Sequence, residues 1–233
     1  LAGGQLMSSL IAVSCVTVSF CSNMLMVQDK VSGAYKDMLI SPLKRSTLGL
    51  SYYVSTTIST LIICLVAFVA CLIYVAIVGW YLTFADVMLI LLDIIILVTF
   101  GTILSSVINY FLTSQGQISA VGSIVSSCYG FISGAYMPLS QLGEGLKNAI
   151  MFLPGTYGTS LIRNHAMGGA INKLAESAPE QVVVQLKDAM DCNLYFNGTR
   201  VDITTMYIVI IATIIVLIGA YLLINKFVKS KKN

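Results

Sequence analysis

Five long apolar runs, at 6–27, 58–80, 87–112, 118–137 and 206–224, alternate along the chain with stretches where polar and charged residues gather. An α-helix rises ~1.5 Å per residue and the hydrocarbon layer is ~30 Å thick, so about 20 apolar residues make one crossing. Each run has that length, and the pattern predicts five membrane spans. Two connecting stretches are long. One is 28–49, "QDKVSGAYKDMLISPLKRSTLG", with Lys30, Lys36, Lys44 and Arg45; the other is 138–202. The short connections hold Trp80 and Tyr81, which suit an interfacial anchor, and Gln115 and Gln117, which are expected in a short loop.

Composition agrees with the pattern. Of the 233 residues 57% are hydrophobic and 10% charged, against about a quarter charged in a soluble domain. The expected fold class is all-α: a polytopic transmembrane helix bundle forming one domain over 1–233. The basic residues set its orientation. Stretch 28–49 and the tail, with Lys226, Lys229, Lys231 and Lys232, are basic, whereas 138–202 carries five basic residues against six acidic ones. Short basic loops stay in the cytoplasm and long loops cross largely regardless of charge. This places 28–49 and the C-terminus inside, in a multi-pass protein of the cell membrane, and 138–202 outside. Residue 1 then lies outside, so a sixth, inward-starting span is expected to precede it. Five cysteines (Cys15, Cys21, Cys64, Cys71 and Cys128) sit in apolar runs and read as small buried hydrophobes. Cys192 alone is in a polar stretch, so no disulfide framework is implied.

The chain has no G-x-x-x-x-G-K-[ST] loop for ATP, no H-E-x-x-H and no G-x-S-x-G. No metal-ligand cluster and no nucleic-acid-binding pattern are present, and the single histidine, His165, is expected on the external surface. Asp93, in "LLDIIILV", lies inside a span, where a carboxylate faces a bundle interior or a wet cavity. A translocation-path or proton-linked role and a structural pairing near the outer boundary both fit it. The fourth run places Ser119, Ser123, Ser126, Ser127, Gly130 and Gly134 on one stripe. Close helix packing through Ser123, Ser127 and a Gly130–Gly134 G-x-x-x-G is expected, with a pore-lining stripe as the other reading. Outside, "SAPEQVVVQLKDAMD" predicts a short helix with a Ser177–Glu180 capping box and an apolar face of Val183, Leu186 and Met190. Asn197-Gly198-Thr199 is a sequon suited to an exposed loop.

Two stretches together resemble the ABC-2 type permease family, the membrane subunits of ATP-binding-cassette exporters. That family has a charged segment after its second span reading roughly E-x-x-x-G-T, then leucines, then S/T-P. Asp29, Gly33, Met38, Leu39, Ser41 and Pro42 fall on it, with Asp29 for the usual Glu and Ala34 for Thr. A Gly-rich span end, a Pro, a half-buried helix and N-P-x-x-Y follow in the family. "SGAYMPLSQLGEGLKNAIMFLPGTYGTSLIR" matches through Gly134, Pro138, Pro154, Tyr157 and Arg163, with Leu153 in place of Asn and Gly143 where a second Pro often falls. The resemblance implies five of six family spans, a cytoplasmic coupling helix in 28–49 and an external half-buried segment in 138–202.

On a helix starting at Lys30, the residues Val31, Tyr35, Met38 and Leu39 share one face and Lys30, Ser32, Gly33, Lys36 and Asp37 the other. Such a helix suits a membrane surface or a partner's groove, and a plain basic lipid anchor through Lys44 and Arg45 is the alternative. The resemblance makes Asp29, Gly33, Tyr35, Lys36, Met38, Leu39 and Pro42 the docking segment for a separate ATPase subunit, which would hold the ATP and magnesium. This chain then needs no cofactor and is no enzyme. It pairs with a second copy or a paralogue, and carries small amphipathic drug-like, antibiotic or peptide substrates outward by alternating access. Export of lipid-linked polysaccharide or teichoic acid is the alternative within the family. A membrane-embedded enzyme or a passive channel is the alternative outside it.

Overall fold

The computed structural model describes residues 1–40, 45–196 and 198–230. Among them, α1 (Ala2–Ser32), α3 (Arg45–Val78), α4 (Phe84–Phe111) and α9 (Ile203–Ser230) are the long helices. Segments Ala2–Ser32, Thr47–Val78, Phe84–Phe111 and Ile203–Ile224 are long and apolar enough to cross a membrane. Among the described residues the bundle is all-α apart from one strand pair, in which β1 (Leu194–Phe196) pairs antiparallel with β2 (Thr199–Val201) in the register Leu194 to Val201. The sequon's Asn197 lies outside the described residues.

The expected fourth crossing, 118–137, differs. It is α5 (Gln115–Ile132), only 18 residues long, or ~27 Å. The helix stops because Gly134 turns to φ +69°, while the amides of Ala135 and Tyr136 both return to the Gly130 carbonyl. Gln117 is not in a loop. It closes a capping box with Ser114 at the start of α5. The 58–80 run is also part of something longer, since α3 has 34 residues. At ~51 Å it overshoots the hydrocarbon layer by about 20 Å, and its first turns extend into the stretch expected to be a connector.

The chain alternates between two ends. Among the described residues, a basic end holds 29–40, 45–52 and 109–117; a loop end holds 79–83 and the connections on either side of the helix at 154–175. Helices α1 and α4 run parallel, side by side, and their contact is polar. The Asn23 amide donates to the Ser105 and Ser106 hydroxyls at 3.0 Å each. Those serines donate to the Thr102 carbonyl, and Thr102 reaches Ser19. Gly101 permits the approach, because a Cβ there would lie 3.0 Å from Ser19 Oγ and 3.2 Å from the Cys15 carbonyl. In lipid, where apolar surface gains nothing by leaving its solvent, such contacts contribute about 0.6–2 kcal/mol each.

The expected half-buried external segment contains the largest departure. After a 3-10 turn (Leu139–Gln141) and α6 (Glu144–Ile150), α7 (Pro154–Ala175) enters the bundle and packs on α1, α4 and α9. Every residue from Gly155 to Arg163 on it is buried. A helix with polar groups on all sides can be enclosed only if each finds a partner. Tyr157 donates to the Met151 carbonyl at 2.7 Å, and Thr159 and Ser160 donate to backbone carbonyls. Arg163, 1% exposed, donates to the Gly134 carbonyl at 2.8 Å, to Ser9 Oγ at 3.4 Å, and to Asp191 Oδ2 at 3.3 Å. The same Asp191 oxygen accepts the Leu139 amide at 2.8 Å. Pro154 opens α7, Tyr157 ties it to the preceding turn, and Pro138 caps the 3-10 turn.

Over α7 lies α8 (Glu180–Ala189), with Val183 and Met190 set against Met167, Ile171 and Cys192. The predicted helix is there, but its capping box is not. Pro179 is the N-cap, without a side-chain bond, and the Ser177 hydroxyl instead turns back to the Leu174 carbonyl. The cysteines also sort differently from expectation: Cys21 and Cys128 are exposed on the chain, whereas Cys192 is buried with the others.

Two outcomes are expected. Arg163→Lys loses the fork that reaches Gly134, Ser9 and Asp191 together, and breaking a buried pair costs about 3–5 kcal/mol. Thermal unfolding in detergent should show that loss, with Arg163→Lys close to Arg163→Ala. Burial also pushes the Cys192 thiol up to about 11. At pH 7.5 only on the order of one thiol in 3,000 is then the reactive thiolate, and maleimide labelling should be slow until the protein unfolds.

Candidate functional site

At the basic end α1 finishes at Ser32 and α2 (Ala34–Ile40) begins after Gly33, whose φ is +92°. The single amphipathic helix expected from Lys30 is therefore two pieces with a glycine joint between them. Nothing lies within 4 Å of where a Gly33 Cβ would be. The glycine is required by its left-handed backbone, not by a close approach. Asp29 and Lys30 belong to the last turn of α1. Lys30 Nζ donates to the Asn109 and Tyr110 carbonyls at 3.2 and 3.1 Å and lies 5.2 Å from the Tyr110 ring centroid. A lysine there satisfies the orphan carbonyls that end α4 and complements its dipole.

Three of the sequence-predicted residues meet at a side chain that the sequence reading did not single out. Tyr52, in the overshooting first turns of α3, donates its hydroxyl to Asp29 Oδ2 at 2.5 Å. Its ring stacks on Tyr35 of α2, with centroids 6.4 Å apart and planes 26° from parallel. The same hydroxyl is 3.8 Å from the Met38 sulfur. Lys36 is exposed and Leu39 half-buried. The outer surface of α2 shows Lys36, Asp37 and Ile40, the last 83% exposed. Pro42, with Ser41 and Lys44, lies outside the described residues, as do Lys231 and Lys232 of the tail.

Asp93 sits about 14 Å along α4 from its first residue and is 3% exposed. Its Oδ2 is 2.6 Å from His165 Nδ1 on α7, and its Oδ1 accepts the Tyr207 hydroxyl of α9 at 2.5 Å. His165 is not the surface histidine expected from the sequence; its side chain is only 11% exposed. The carboxylate thus has both oxygens engaged and joins three helices.

The small-residue stripe divides. Gly130 is covered by the Tyr136 ring of its own turn and Gly134 lies beyond the helix, so the G-x-x-x-G does not seat another helix of this chain. Gly122, against Met24 of α1, makes the close approach instead. Ser119, Ser123, Ser126 and Ser127 all face outward. The polar seam between α1 and α4 was also missed. Its signal was present in the three- and four-residue spacing of Ser19 and Asn23, and of Thr102, Ser105, Ser106 and Asn109.

Among the described residues no three metal-ligating side chains come together. The sequence profile of the ABC-2 family transporter proteins matches residues 2–224. No curated protein and no solved structure matches the chain.

Replacing Asp93 tests its pairing. Asp93→Leu removes the partner of the nearly enclosed His165 and of the half-buried Tyr207, at up to about 1–3 kcal/mol for each group. Asp93→Asn retains an acceptor for Tyr207 and a donor for the other imidazole tautomer. The expected order of thermal stability in detergent is wild type, Asn, Leu, with Leu well separated from the other two.

Proposed function

The chain belongs to the ABC-2 transporter family, and on that premise we propose that it is the permease subunit of an ATP-driven exporter, coupled through α2 to a separate ATPase. The observation that carries this reading is the elbow at the basic end. A short helix there offers an exposed surface while its inner side is held to α1 and α3. ATP-driven closure of the ATPase pair would press on α2 and shift the spans between inward-open and outward-open arrangements. Such a push switches the bundle only as far as the two ATPase states bind it differently.

The open hydroxyl face of α5 supports a partner permease half, a second copy or a paralogue. Ser119, Ser123 and Ser127 alternate there with the exposed Ile124 and Phe131. A path between two such mixed faces suits small amphipathic molecules, drug-like or peptidic, better than a uniformly polar chain such as a lipid-linked polysaccharide. The enzyme alternative gains a second member in His165, but the pair is enclosed and both carboxylate oxygens are occupied.

Purification of the chain from its native membranes, followed by an assay for ATP hydrolysis in the eluate, tests the coupling. Met38→Asp and Tyr35→Ala are expected to release the hydrolytic activity or detach it from transport while insertion stays normal. If only joint neutralisation of Lys36, Lys44 and Arg45 has an effect, α2 is a lipid anchor and the reading falls. Orientation has its own check. A cysteine at Lys187 should react with an impermeant thiol reagent on intact cells, and one at Lys231 should not.

A further inference from the structure

A helix break at a glycine with no packed neighbour is a joint, and a joint passes on a push only if something braces it. Gly33 is such a joint, with φ +92° and open space around it. Among the described residues, Tyr52 spans it. Its hydroxyl holds Asp29 on the α1 side, its ring holds Tyr35 on the α2 side, and its backbone is part of α3. Lys30, one residue after Asp29, carries the assembly on to the end of α4 through two carbonyls.

We propose that Tyr52 is the brace that makes the end of α1, all of α2 and the first turns of α3 one rigid elbow, through which movement of α2 reaches α1, α3 and, by way of Lys30, α4. The proposal rests on the coupling reading above and adds the positioning residue on which it depends. The hydroxyl and the ring have separable parts. The hydrogen bond to a carboxylate fixes the α1–α3 angle, being charge-assisted and short, and the stacked ring sets the α2–α3 angle.

The brace is read first without any ATPase. Spin labels are placed at Lys36 on α2 and Leu50 on α3, both exposed, in a cysteine-free chain reconstituted in nanodiscs. Pulsed dipolar spectroscopy should give a narrow distance distribution for the wild type and one at least twice as wide for Tyr52→Ala. Tyr52→Phe, which keeps the ring and loses the hydroxyl, should fall between them. Equal widths in all three overturn the proposal, whatever the partner is.

The transmission is then read in the purified complex with its ATPase, using labels at Lys36 and at the exposed Gln115 of α5. ATP with vanadate should change this distance in the wild type while leaving the Lys36–Leu50 distance unchanged. In Tyr52→Ala the change at Gln115 should fall to half or less, and the Lys36–Leu50 distance should now move. A Tyr52→Ala complex that responds as the wild type does overturns the transmission. A wild type in which nucleotide moves neither pair overturns the coupling reading itself, and the nanodisc widths then show whether the brace stands apart from it.

Discussion

A membrane-spanning bundle must satisfy every enclosed polar group from within, because lipid offers no partners. That constraint is most demanding at Arg163. A guanidinium has five donors, and enclosing it needs acceptors at fixed angles. For its two terminal nitrogens the chain supplies them from three separate places: the Gly134 carbonyl beyond α5, Ser9 near the start of α1, and Asp191 after α8. Asp191 adopts φ +53° to present its carboxylate and also takes the Leu139 amide. The turn out of α5, the 3-10 turn and the α8–β1 connection are thus positioned by one buried cation. The Asp93 network performs the same service one helix deeper, fixing α7 between α4 and α9.

The two ends of the bundle are held by different means. At the loop end, α7 fills the space between α1, α4 and α9, and its polar groups bind neighbours from all sides. At the basic end no such filler exists among the described residues. There the α1–α4 seam ends in Lys30, and Tyr35 and Met38 of α2 reach Tyr52 of α3. A dense end and an open end suit a protein that is worked from one side. Rigid packing fixes the loop end, while few and specific contacts at the basic end leave its angles to be set by individual side chains.

Much of this was legible in the sequence. Span length and hydropathy predicted five crossings, and four of them coincide with helices long and apolar enough to span, because a helix in lipid needs little more than apolar length. The ABC-2 resemblance lay in the spacing of Asp29, Gly33 and Pro42 and of Pro138, Pro154 and Tyr157. What could not be read was polar matter inside the bundle. The segment around "GTYGTSLIRNH" has the composition of an external loop, and only the partners of Arg163 and His165, distant in the chain, reveal that it is enclosed. Asp93 was recognisable as out of place, yet its partners lie 72 and 114 residues away. Tyr52 was hidden for a different reason. It precedes the hydropathic run, and nothing local marks α3 as extending that far. The failed Ser177–Glu180 box shows the reverse case, where a short motif fits locally and Pro179 takes the cap instead.

The burial of α7 has a consequence for how the protein is made. Helices leave the ribosome in chain order, so α1 and α4 are present when α7 emerges, but α9 is not. Until α9 is synthesised, one side of α7 lacks its wall and the Tyr207 hydroxyl is not there to occupy Asp93. The nascent chain therefore passes through a stage with a half-satisfied carboxylate and an unsheathed polar helix at the bilayer. Completion of α9 ends that stage. A product halted before Tyr207 would carry, at membrane depth, a carboxylate oxygen without its hydroxyl donor, a chemical mark of its own incompleteness.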